Sequence, residues 1–165
     1  MTLIRRGEFG EARARLSVQD PVRDIQNRDL TLEGWADLVA AEGAWAEAAA
    51  VVAEARDWAD RTGLRFLPAV ADRLEGQAAL AAGDHERAVR SLAAARDHFA
   101  GLEVPWERAR TELWLGEAYL AAGDPAEAAT AARSALETFR ALGAQVEVER
   151  AAALVAQASE RTGSA

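Results

Sequence analysis

The chain has 165 residues, no cysteine, two histidines and a net charge of −8. That is length enough for one domain with its own core, and it offers nothing from which a disulfide, a thiolate metal site or a thiol nucleophile is made. A pI near 4.9 gives a field that repels phosphate backbones, so direct nucleic-acid binding would need a strong basic patch, and none is evident.

No signal-peptide pattern opens the chain, and no uncharged apolar run approaches the ~18 residues of a membrane span. The expectation is a cytoplasmic protein in a reducing compartment. Forty-two alanines against four prolines favour helices, because alanine loses least on entering one. Every one of the 19 basic residues is arginine, as a G+C-rich bacterial genome would encode.

In chain order the predicted helices cover about 8–18, 26–42, 45–61, 68–82, 85–100, 106–122, 125–141 and 145–161. The first lies in "RRGEFGEARARL", a glycine-turn-alanine pattern with Gly7 and Ala12, set 36 residues before Gly43 rather than forty. From there the chain repeats at an offset of forty: Gly43, Gly83, Gly123 and Gly163 stand in register. Seven residues before each is a small residue (Ala36, Gly76, Gly116, Ala156); Ala48, Ala88 and Ala128 come five after, and Ala55, Ala95 and Ala135 twelve after. Each glycine suits the left-handed residue that ends a helix, and Asp84 or Asp124 caps the next. Pro125 at a first helical position and Glu127, completing a capping box with Asp124, strengthen the third turn. The small residues fall on one stripe per helix, where two backbones can approach closely, with Trp35, Leu38, Leu92, Phe99, Leu115, Tyr119 and Phe139 filling beside them. Trp106 aligns with Phe66 and Val146 at the start of first helices and is expected to pack one unit on the next, whereas Trp45 and Trp58 fit either packing or an outer contact patch.

A small residue, a seven-residue gap, a "GD" turn and alanines at five and twelve resemble the tetratricopeptide repeat. "LGEAYLAAGDPAEAATAARSAL" is a good single instance, with Leu115, Gly116, Tyr119, Gly123, Ala128 and Ala135 in its signature places. Two features depart from the family: the unit is forty residues rather than the usual 34, and Leu32, Asp72 and Glu112 stand where its early tryptophan is expected. Long units of this kind are similar to the helical arrays of MalT/LuxR-type ATP-dependent bacterial transcription activators. A HEAT-like reading rests on one "DPVR" phrase at Asp20–Arg23, out of register.

The resemblance implies an all-α, right-handed α-α superhelix forming a single domain over 1–165. Its parts are a partial unit at 1–26, full units at about 27–67, 68–104 and 105–143, and a terminal helix at 144–162. It implies further that first helices line a concave groove taking a protein or peptide partner, without catalysis and without a cofactor. By phase the groove residues are Asp37, Arg73, Gln77, Arg110, Trp114, Glu117, Arg150 and Gln157. Arg73 and Arg110 are placed to pair a carboxylate in two-pronged fashion, and Trp114 to be an apolar anchor. The competing interpretation makes these residues a solvated face with internal ion pairs. A second functional expectation is the ligand-sensing domain of an ATP-dependent transcription regulator. For an enzyme the footing is poor: His85 and His98 lie at different phases of one helix, and neither a phosphate-binding glycine loop nor a nucleophile elbow is present.

Overall fold

Gly43, Gly83 and Gly123 adopt φ of 67°, 78° and 86°, a left-handed region that a residue without Cβ enters freely. The next N–H reaches back to a carbonyl of the finished helix: Ala44 to Val39, Asp84 to Ala79 and Asp124 to Tyr119. Carbonyls that the helix itself leaves unpaired are thereby satisfied. The turns between hairpins use the same conformation, at Gly63, Glu103 and Gly143. Left-handed residues therefore recur every twenty positions, at 43, 63, 83, 103, 123 and 143.

The protein is seen in a computed structural model that describes residue 4 and residues 6–17 and 27–163; the Asp20–Arg23 phrase lies outside them. Among the described residues all regular structure is helical: α1 (Phe9–Leu16), α2 (Arg28–Glu42), α3 (Trp45–Thr62), α4 (Phe66–Ala81), α5 (His85–Gly101), α6 (Pro105–Ala122), α7 (Pro125–Ala141) and α8 (Gln145–Gly163). None is long and apolar enough to cross a membrane. Gly163 does not close a helix as its register implies, because it lies inside α8 without a left-handed φ. The capping box at Asp124 is half made: its carboxylate accepts from the Glu127 N–H at 3.3 Å. Its own N–H is already bound to Tyr119 and cannot take the reciprocal bond.

Ala48, Ala88 and Ala128, with Ala55, Ala95 and Ala135, are all buried, so the alanine stripe is where helices meet. A Cβ on Gly76 would stand 3.1 Å from the Leu92 backbone nitrogen, and one on Gly116 3.2 Å from the Ala128 carbonyl oxygen. At both places backbone touches backbone, and glycine is what permits it. Ala156, the equivalent position in α8, is exposed, since among the described residues no second helix packs across it.

Phe66 meets Phe99 and Trp106 meets Phe139, each edge-to-face with ring centres 5.4 Å apart. These are one contact written twice, forty residues apart, but each joins the two helices of one hairpin, α4 to α5 and α6 to α7, rather than one unit to the next as expected for Trp106. Val146, third in that register, is 75% exposed. Trp45 and Trp58 are half-buried against the core around α3 and α4. Each helix packs on its neighbour in the chain, and α2, α4, α6 and α8 also pack in sequence on one another. Helices α3, α5 and α7 make no such mutual contact. First helices therefore share one continuous face.

Candidate functional site

That shared face carries a chain of ion pairs. The Arg73 guanidinium on α4 is 2% exposed; it donates to Glu107 on α6 and lies 3.5 Å from Asp37 on α2, above the Phe99 ring. Arg110 on α6 donates to both Asp37 oxygens, at 3.0 and 3.4 Å, and to Glu107 at 3.0 Å. Two arginines and two carboxylates thus alternate across three helices. Burial pulls the Arg110 pKa down, but Asp37 and Glu107 outweigh it and raise it above the ordinary value. Glu33 beside them is raised, first by burial and then by the nearby Glu107 and Asp37 charges. Further along, Arg150 on α8 donates to Glu117 on α6 at 2.7 Å and stacks 5.2 Å from the Trp114 ring.

Above the chain of pairs is a cleft of about 240 Å³. Five of the eight residues expected from the sequence, Asp37, Gln77, Arg110, Trp114 and Arg150, line it together. Apart from Ile4, every lining residue lies on α2, α4, α6 or α8. Arg73 is not on the open surface; its charge is spent beneath the cleft on Glu107 and Asp37. Nor is the two-pronged grip of Arg110 open, because Asp37 already fills it. Glu117 stands beside the cleft holding Arg150, and Gln157 is exposed away from it. The internal ion pairs of the competing sequence interpretation are present, and they surround a real depression.

Sequence reasoning missed Glu107, Glu147 and Leu113. Glu107 had a signal, since it stands three residues before Arg110 and on the same helix face. Glu147 lines the cleft with no cation paired to it among the described residues. Elsewhere, the His98 Nδ1 lies 3.2 Å from Asp72, and among the described residues no three His, Asp or Glu side chains gather as a metal requires. A second polar site lies between α5, α6 and α7, where Glu112 accepts from the Ser134 hydroxyl at 3.0 Å. Its other oxygen and the Arg108 Nε are buried without a hydrogen bond. No protein-family model, no curated protein and no solved structure matches this chain.

Proposed function

We propose that the chain is a non-catalytic scaffold of the tetratricopeptide type, its hairpins stacked as a right-handed superhelix that holds a protein or peptide partner in the cleft. The single observation that carries the reading is the lining of that cleft by the first-helix face of successive hairpins, with a half-buried tryptophan and arginines at its wall. Tryptophan and arginine concentrate binding energy at interfaces. The likeness of its long units to the helical arrays of MalT/LuxR-type regulators is the ground for setting it in a cytoplasmic bacterial regulatory or signalling protein.

The test is selection of peptide binders on the full chain, followed by two variants. Ala41→Trp fills the cleft from an exposed position, and Trp114→Ala removes the anchor. Each is expected to weaken binding at least about tenfold, or ~1.4 kcal/mol, with helicity by circular dichroism unchanged. Binders indifferent to Ala41→Trp would place recognition elsewhere and refute the reading.

A further inference from the structure

The ladder of pairs on the first-helix face has one gap, at Gln77. Asp37, Gln77 and Glu117 stand forty residues apart in one register, and Arg110 and Arg150 share another. Glu117 takes Arg150, thirty-three positions on. By the same spacing Gln77 would take Arg110, but an amide offers no charge, and Arg110 turns instead to Asp37 and Glu107. Gln77 is left 5% exposed, lining the cleft, with no hydrogen bond from its side chain among the described residues. Its amide atoms are not among those sealed from solvent without a partner, so they open on the cleft, where a C=O acceptor and two N–H donors can exchange water for the main-chain amide of a ligand.

The surroundings decide what that ligand is. Arg110 is held by Asp37 and Glu107, and Arg150 by Glu117, so an acidic ligand would compete with carboxylates already in place. It would also face Glu147, which has no paired cation among the described residues, and a chain of net charge −8. Trp114 and Leu113 supply apolar wall.

We infer that the cleft takes a basic, apolar peptide segment whose main-chain amide pairs with the Gln77 side chain, whose apolar side chain lies on Trp114, and whose Lys or Arg meets Glu147. This rests on the scaffold reading and reverses the sequence-based expectation of a carboxylate ligand. The amide supplies orientation through a paired donor and acceptor, and the unpaired Glu147 supplies charge selectivity.

The experiment is a random peptide library displayed against the full chain, with enriched peptides then synthesised and titrated against variants. Enriched sequences are expected to carry Lys or Arg beside Leu or an aromatic residue and to be poor in Asp and Glu. Gln77→Met, close in volume, should weaken them at least tenfold, and replacing the engaged amide of the peptide by an ester should do the same. Glu147→Gln should abolish the preference for basic residues alone. Gln77→Glu is expected to draw Arg110 across as Glu117 draws Arg150, and to lose the peptide while staying folded. Peptides that depend on Ala41 and Trp114 but are acidic, or that bind Gln77→Met unchanged, overturn this inference and leave the scaffold standing. A library yielding no cleft-dependent peptide overturns both.

Discussion

Glu103 holds a φ of 57° where Gly63 and Gly143 stand in the same register. A Cβ in that region crowds the following carbonyl at a cost of roughly 1–2 kcal/mol, partly offset because glycine is freer in the unfolded chain. Glu103→Gly is therefore expected to stabilise the protein by about 0.5–1 kcal/mol in urea denaturation. Gly83→Ala should lose about 1 kcal/mol even though nothing lies within 4 Å of its added Cβ, which separates backbone strain from collision. Glu112 poses a different problem, that of a carboxyl only 5% exposed with one oxygen unpartnered. Burial is the main cause raising its pKa above 4.5, opposed by Ser134, Arg108 and Arg96. A raised folded pKa means that the native state binds the proton more tightly. The favourable contribution of this carboxyl is complete below about pH 4.5 and is lost as pH rises through the folded value. Glu33 acts in the same sense. Glu75, lowered chiefly by its hydrogen bond from Arg87, acts oppositely and loses its contribution as pH falls below 4.5. Glu112→Gln, which cannot ionise, should gain in melting temperature over the parent protein, by more at pH 7 than at pH 5. Equal differences at the two pH values would show that desolvation does not govern this carboxyl.

Helix α7 shows what holds one element in place. Its amide end is closed by the Asp124 carboxylate and Pro125, and its buried stripe runs through Ala128, Ala132 and Ala135 to Phe139. Loss of the cap in Asp124→Ala should cost about 1 kcal/mol. Glutamate at Ala128 or Ala88 is far worse. Both alanines are fully buried, and a carboxylate forced between touching backbones has neither room nor a hydrogen-bond partner. More than about 3 kcal/mol should be lost, read as unfolding by circular dichroism or as dimerisation by size-exclusion chromatography. An unchanged melting temperature would contradict the packing itself. These elements were legible in the sequence because the physics that builds them is local and leaves a mark: left-handed turns select glycine, and close backbones select alanine or glycine. Glu103 was illegible for the converse reason, since it adopts the turn conformation without the residue that signals it. The burial of Arg73 was illegible too. Its phase points away from the small-residue stripe, but α2 and α6 pack on either side of α4 and enclose it. Asp37 and Arg110 meet across 73 positions of sequence, a pairing that no single-helix pattern encodes.

Among the described residues, helix backbones approach only neighbours one or two places along the chain, so contacts between more distant hairpins depend on side chains alone. Arg110 is such a link, joining α6 to α2 across α4, and Arg73 binds all three helices from beneath. A buried pair is expensive to assemble but more expensive to halve, because a deserted charge keeps its desolvation cost without its partner. Arg73→Ala would leave Asp37 and Glu107, both about nine-tenths buried, facing each other without a cation between them apart from Arg110. A loss of about 3–5 kcal/mol is expected. Replacing the group together, as Asp37→Leu, Arg73→Met, Glu107→Leu and Arg110→Met, should recover most of that loss, since apolar side chains of similar volume incur no such cost. The Arg150–Glu117 pair is the control. Its arginine side chain is 50% exposed, water screens the attraction, and Arg150→Ala should cost roughly 0–1 kcal/mol. Guanidinium denaturation of the variants orders them. If Arg73→Ala proved no more damaging than Arg150→Ala, the chain of pairs would be surface decoration, and the width of the cleft above it would have to be set by backbone packing alone.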